Sequence, residues 1–240
     1  MGLYVETRVR ADLETLWAYT QEPALHQRWD LRFTEIADLP RAEGEPRRFR
    51  YATRVLPFLA VAGTGVSAGE RHRAGGDRVS ALRFSSPHPL SLLAEGSGYW
   101  RYVPTADGVR FLTGYDYRPR WGRFGRAADR LAFRPLMGWA TAWSFDRLRL
   151  WCERGITPAR SRNRWLLELA GRLLLAVVPF VLTRLPLGPV SLAAVALTVP
   201  GLAAAVLLPP SSRVPAARRC PRTPPATARE PRLLATLEQP

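Results

Sequence analysis

Lysine is absent from the 240 residues, so all 35 basic side chains are arginine. Asparagine occurs once, at Asn163. This reads as a coding bias toward Arg, Ala, Gly and Pro, and it discounts part of the net charge of +15 as the sign of a partner. Cysteine is nearly as scarce. Cys152 and Cys220 have no motif spacing, which excludes a disulfide framework and a cysteine zinc site. His26, His72 and His88 are scattered without ligand spacing, so no metal is expected, and no cofactor. The opening "MGLYVETRVR" lacks an apolar run, which argues against a secretory signal. Glu6 breaks the myristoylation pattern after Gly2. The first part of the chain is expected in the cytoplasm.

What is present is unevenly placed. Residues 1–155 hold 24 Arg against 17 acids, whereas residues 156–240 hold 11 Arg against 3 acids. The second part therefore suits an anionic surface, lipid or nucleic acid, and its apolar neighbours favour lipid. From Trp165 to Leu208 the only charged residues are Glu168, Arg172 and Arg184. Leu185–Leu208 has none, and at ~1.5 Å per residue it can span a ~30 Å hydrocarbon core. "RLPLGP" at Arg184–Pro189 is a turn signal. Arginines flank both ends of the apolar region (Arg160, Arg162 and Arg164 before it, Arg213, Arg218, Arg219 and Arg222 after it). Basic flanks prefer the cytoplasmic side, so a hairpin with arms 166–183 and 190–208 is expected. The alternative is a single span after an interfacial helix, because the charge-free part of the first arm, Leu173–Thr183, is short. The Pro- and Arg-rich tail, 209–240, reads as disordered, and 156–164 as a basic linker.

Residues 1–155 read as a separate α+β domain. Leu3, Val5, Thr7 and Val9 alternate with Tyr4, Glu6, Arg8 and Arg10, the mark of a half-buried strand. Asp12 is placed to cap a helix with Leu13, Leu16, Trp17 and Thr20 on one face, and Pro23 starts a second short helix. About six strands follow, separated by turns such as "RAEG", "AGGD" and "TADG", indicating one antiparallel sheet with one face covered. The last segment, from Trp121 to Glu153, is a long helix that Pro135 should kink. Trp139 and Trp143 lie one turn apart on it.

Catalytic motifs are weak. "GVSAG" at Gly65–Gly69 matches G-x-S-x-G, but no helix follows to present the serine, so it reads as a strand with glycines at a bend. "GTGVSAG" fails the dinucleotide pattern. His26 and Asp30 in "HQRWD" have no third partner in the sequence and read as scaffold. Glu35 shares the parity of Phe33 and Ala37 and points inward, as an acid/base group or as the partner of an inward arginine such as Arg101. Nucleic acid is disfavoured, because the strand arginines oppose the aromatics in parity.

The stretches "VETRVRADLETLWAYTQEPALHQRWD" and "DRLAFRPLMGWATAWSFDRLRLW" carry a resemblance. Over roughly residues 3–154 the chain resembles the START-like (SRPBCC) superfamily, which includes polyketide cyclases and lipid-transfer proteins. Trp17 and the Pro23–Leu25–Trp29 turn match its pattern. The resemblance implies a helix-grip fold: a strand, two short helices, an antiparallel sheet, and a long helix across a cavity that holds an apolar ligand. It carries over no catalytic residue. The cavity is expected among Trp29, Phe33, Glu35, Tyr51, Tyr99, Arg101, Tyr115, Tyr117, Trp139 and Trp143. The expected function is binding of a lipid or other hydrophobic small molecule by a domain anchored in the cytoplasmic membrane, tail and domain both inside. The alternative is a cyclase or dehydratase using Glu35, Arg101, Tyr115 or Asp116; a scaffold for a protein partner is a third.

Overall fold

The computed structural model describes residues 2–56, 59–72, 76–184, 189–225 and 231. They form two units: residues up to Gly155 together with the described residues from Ala216, and Ile156–Pro215.

The first unit is α+β and has the helix-grip arrangement. Strand β1 (Leu3–Val9) leads into helices α1 (Leu13–Gln21) and α2 (Pro23–Trp29). Six strands follow: β2 (Glu35–Asp38), β3 (Arg47–Leu56), β4 (Leu59–His72), β5 (Arg78–Ser85), β6 (Leu93–Thr105) and β7 (Gly108–Pro119). They make one antiparallel sheet in the order β1-β7-β6-β5-β4-β3-β2. Asp12 caps α1, its carboxylate accepting from the Thr15 amide at 2.7 Å. Pro23 occupies the first turn of α2, where its missing amide proton costs nothing.

Strand parity decides what faces the helices. Phe49 and Tyr51 pair with Gly65 and Gly63 across β3 and β4, and a side chain at either glycine would collide with the facing ring. The glycines of "GTGVSAG" therefore make room for aromatics. On the same face Tyr102, Phe111 and Phe145 form a fully buried ladder, Phe111 and Phe145 stacking at 4.5 Å. On the other face Tyr4, Ala81, Tyr99 and Leu112 form a separate cluster.

The long helical segment is compound. Helix α3 (Gly122–Ala128) passes through a π turn (Asp129–Phe133) into α4 (Arg134–Arg154). Pro135 cannot donate to the previous turn, so the expected kink appears as this wider turn just before it. Phe124 and Leu131 are left exposed, at 73% and 81%. Helix α4 packs against β1 and α2, and ends at Gly155 in the left-handed region (φ 60°), as a helix-ending glycine commonly does.

The tail departs from the expected disorder over its described residues. Ala217–Arg219 form a short turn packed on α4. Asp146, wholly buried, accepts from the Ala216 amide at 2.8 Å and from Arg219 at 2.9 Å, and Arg149 is its third partner at 2.7 Å. The Glu6 amide donates to the Pro221 carbonyl at 3.0 Å. A buried carboxylate needs such donors, and the chain supplies them 70 residues later.

The second unit is a pair of helices, α5 (Pro158–Leu182) and α6 (Pro189–Leu207). Residues 158–164, expected as linker, belong to α5, because Thr157 caps its first turn and Pro158 opens it. Arg172 on α5 pairs with Glu168 at 2.8 Å and donates to the carbonyls of Ala205 (2.8 Å) and Leu208 (2.9 Å), at the carboxyl end of α6. The helices therefore run antiparallel, with a cation closing the end that concentrates negative charge. A Cβ at Gly201 would fall 2.5 Å from the Leu175 carbonyl oxygen, so glycine permits the close crossing. Among the described residues, Pro158–Leu182 is the one helix long and apolar enough to cross a membrane, and Ala193–Leu207 is a shorter apolar helix. The charge-free run starts at 185 in the sequence, but its helix begins at Pro189; 185–188 lie outside the described residues.

Candidate functional site

A cavity of about 470 Å³ lies within the first unit, lined by α1, α2, the inner face of the sheet and the start of α4. Its walls are mostly apolar: Phe33, Phe49, Tyr51, Phe84, Trp100 and Met137 contribute. Trp121 and Leu90 line one end. Trp121 holds a left-handed backbone (φ 65°), and its indole donates to the Pro89 carbonyl at 3.0 Å. A bulky residue in that region is rare, so the anchored indole fixes the corner between β7 and α3.

The polar groups gather around α2. His26 and Asp30 stand one turn apart, Nε2 to Oδ2 at 3.1 Å. Arg32 grips the same carboxylate side-on, Nε to Oδ1 at 2.9 Å and Nη2 to Oδ2 at 2.7 Å. The backbone after α2 is held in turn: the Leu31 amide donates to Ser144 Oγ at 2.8 Å, and Thr53 Oγ1 donates to the Arg32 carbonyl. The Tyr115 hydroxyl completes the group, within 2.9 Å of Thr141 Oγ1 and interacting with Arg32.

Burial would push the Asp30 carboxyl up, but the Arg32 charge and the hydrogen bonds of His26 and Arg32 overcome it and hold the group well below the usual carboxylate range. Burial lowers His26 below the usual imidazole value against the opposing pull of Asp30. At neutral pH His26 is therefore uncharged. A carboxylate can only accept, so Nε2 carries the proton and Nδ1 keeps its lone pair. His26 is also packed among rings, stacked on Trp29 at 5.0 Å and edge-on to Trp100 at 4.8 Å. Burial raises Tyr115, opposed by Arg32, and pushes Tyr51 up to about 12.

A second pair stands where α1 meets β2 and β3. Arg47 grips Asp38 side-on at 2.8 and 2.9 Å and donates to the Gln21 carbonyl at 3.0 Å. Gln21 also donates to the Tyr102 hydroxyl at 3.0 Å and receives Ser80 Oγ at 3.4 Å.

Of the ten residues expected at the cavity, Phe33, Tyr51 and Tyr115 line it with inward side chains. Tyr99 also borders it, but its ring belongs to the cluster on the opposite sheet face. The other six do not line it. Trp29 is fully buried beneath His26, its indole donating to the Tyr19 carbonyl at 2.8 Å. Glu35 is exposed on the edge strand and faces Arg50 at 3.5 Å; Arg101 pairs instead with Asp77 at 2.8 Å. The Glu35–Arg101 pair, one of the two readings of Glu35, therefore does not form. Tyr117 shares the parity of Tyr115, but its hydroxyl is taken by Asp129 of the π turn at 2.5 Å. Trp139 and Trp143 stack on each other along α4. Asp116 pairs with Arg134 outside the cavity. Hence three of the four acid/base candidates are committed elsewhere.

The sequence reading missed His26, Asp30 and Arg32 as a unit. The i, i+4 spacing of the first two was visible, but the third partner follows the end of α2, where only the turn of the chain brings it back. Both thiols are buried and pushed up to about 12, so neither is a ready nucleophile at neutral pH. Among the described residues no group of three or more His, Cys, Asp and Glu side chains converges as a metal site.

No protein-family model matches the chain. It is 51% identical over 159 residues to the "Uncharacterized membrane protein YndG" of Bacillus subtilis (strain 168), a match covering 66% of this chain and 59% of that protein. The chain thus spans less than two thirds of that relative's length. Among solved structures it is similar to TTHA0849 from Thermus thermophilus (TM-score 0.47, 16% identity, 62% of this chain and 97% of that one). It is similar to the same degree to a STAR-related lipid transfer protein fragment from Xanthomonas axonopodis (TM-score 0.47, 16% identity, 61% and 82%). A third is the di-domain ARO/CYC StfQ of the steffimycin biosynthetic pathway (TM-score 0.47, 15% identity, 62% and 48%). These likenesses are too distant to speak for a ligand.

Proposed function

We propose that the chain is a membrane-anchored binding protein whose helix-grip domain takes up a lipid or other hydrophobic small molecule. The observation that carries this is the cavity: about 470 Å³, walled mainly by rings and aliphatic side chains, with its charged groups gathered at α2, β2 and β3. That volume falls within the ~300–1,000 Å³ usual for small-molecule sites. Anchoring raises the concentration of such a pocket at the bilayer.

Helices α5 and α6 form the anchor as a hairpin. Their lengths, 25 and 19 residues, correspond to about 37 and 28 Å. The chain enters the hairpin from the helix-grip unit and returns to the same unit at Ala216. On this reading both ends of the hairpin lie on one side of the bilayer and the chain crosses twice, which the return of the chain to the helix-grip unit supports. The basic residues Arg160, Arg162 and Arg164 favour the cytoplasm for that side. Arg219 is engaged with Asp146 and does not count among them.

Two experiments test this reading. Organic extracts of the purified full chain, examined by mass spectrometry, should contain an apolar compound absent from a variant whose cavity is filled by Val61→Phe. Identical extracts would refute ligand binding. A single cysteine at Thr183, with Cys152 and Cys220 replaced by Ala, should be labelled from outside the cell. Labelling only from the cytoplasm would refute the two crossings.

A second reading, a cyclase- or dehydratase-type enzyme acting on an apolar polyketide-like substrate, is favoured by one observation. A neutral histidine backed by a carboxylate faces the cavity, an arrangement suited to a general base. Under this reading His26→Ala should copurify with a different compound from the wild type, substrate in place of product. The same compound from both would count against it.

A further inference from the structure

We infer that the cavity selects an uncharged ligand, one whose polar end is a hydroxyl or carbonyl rather than a carboxylate, phosphate or ammonium. This rests on the reading of the cavity as a ligand site and narrows it.

The charges around the wall cancel. Among the described lining residues, the ionisable groups other than tyrosine are His26, Arg32, Asp38 and Arg47. Each arginine is held side-on by an aspartate with two short hydrogen bonds: Arg32 by Asp30 at 2.9 and 2.7 Å, Arg47 by Asp38 at 2.8 and 2.9 Å. The side-on geometry uses the fork that an anionic ligand would need. The remaining donors are directed elsewhere too, Arg47 Nη1 to the Gln21 carbonyl and Arg32 toward Tyr115. An ammonium fares no better. Both Asp38 oxygens accept from Arg47, and both Asp30 oxygens accept from Arg32. With His26 neutral, the two pairs sum to zero charge. An ionic ligand would have to break a pair or bring a bare charge into an apolar space, and either is strongly unfavourable.

A neutral polar end meets suitable partners. The Gln21 amide and the Ser80 hydroxyl lie on the wall beside each other, joined by a long 3.4 Å hydrogen bond that a ligand hydroxyl or carbonyl can replace without uncovering a charge. Hydroxyls can reorient their protons to donate or accept, and an amide offers both roles, which suits an alcohol, phenol or ketone.

A matched pair of probes tests this on the full chain in detergent: 1-pyrenemethanol and 1-pyrenecarboxylate, read by energy transfer from tryptophan. The background is the cavity-filled Val61→Phe chain. The wild type should bind the alcohol at least about tenfold more tightly than the carboxylate. Asp38→Asn, which frees the Arg47 fork at a half-exposed position, should raise carboxylate affinity about tenfold relative to that of the alcohol. Carboxylate binding equal to or tighter than alcohol binding in the wild type overturns the inference while leaving the cavity a ligand site. An equal shift of both probes in Asp38→Asn overturns the role given to the pair. Binding of neither probe above the Val61→Phe background overturns the ligand-site reading itself, and the inference with it.

Discussion

The two units solve the same problem differently. Each holds a carboxylate–guanidinium pair in apolar surroundings. In the helix-grip unit Asp30 and Arg32 close on each other side-on, and His26 takes a further position on the carboxylate. In the hairpin Glu168 and Arg172 stay partly open, and Arg172 spends its other donors on the last carbonyls of α6. The first pair is a sealed neutral unit that shapes a cavity wall. The second turns its residual charge toward a helix end and joins two helices. A charge within an apolar helix is therefore accommodated when a neighbouring helix end lies within its reach.

The comparison can be broken most forcefully at the sealed pair. Asp30→Asn leaves Arg32 buried without its counter-charge, and a loss of about 3–5 kcal/mol is expected in chemical denaturation of the full chain. A loss below ~1 kcal/mol would show the pair to be solvated. Next comes the seat of the tail. Asp146→Asn weakens charge-assisted bonds from Arg149, Ala216 and Arg219, with an expected cost of about 2–3 kcal/mol. Trypsin should then cut after Arg218 or Arg219 much faster than in the wild type. Unchanged cleavage would mean that the tail is held by other contacts.

At the open pair, Arg172→Met removes the closure of α6 and should cost about 1–2 kcal/mol by thermal unfolding in detergent. An unaltered midpoint would deny the closure any weight. A gentler probe is pH. His26 has a lowered pKa in the folded protein, so its contribution is complete above the unfolded value of about 6.5 and is lost as pH falls through the folded value. Stability should therefore decline on acidification below about 6.5, and His26→Phe should flatten this part of the profile. Parallel profiles would locate the titrating group elsewhere. The smallest effect belongs to Glu35→Ala. Its exposed pairing with Arg50 at 3.5 Å should be worth no more than ~0.5 kcal/mol, and ligand content should not change. A loss of ligand would restore Glu35 to the site.

Much of the fold was legible because it is written in local periodicity. The alternation of Leu3–Val9, the cap at Asp12, Pro23 at the start of α2 and the glycine-rich turns all report contacts within a few residues. The expected cavity set also held Phe33, Tyr51 and Tyr115, which line the cavity. Parity failed where a long-range partner claims a side chain. Tyr117 has the right parity, yet the π turn brings Asp129 onto its hydroxyl. The parity read from Phe33 does not carry into β2: Ile36 pairs with inward Tyr51, so Glu35, paired with Ala52, lies on the opposite face and reaches solvent beside Arg50. Composition misled at the tail for the same reason. "PAARRC" looks like a segment unable to bury itself, and what seats it is a carboxylate on α4.

That seat has a consequence for the order in which the protein is made. Asp146 leaves the ribosome well before Ala216, with both hairpin helices still to be synthesised in between. Until they are finished Asp146 has Arg149 but neither the Ala216 amide nor Arg219. The globular part is thus complete only after both helices exist and the chain beyond them has reached Asp146. The last contacts of the fold are thus timed by where a short basic segment falls along the chain.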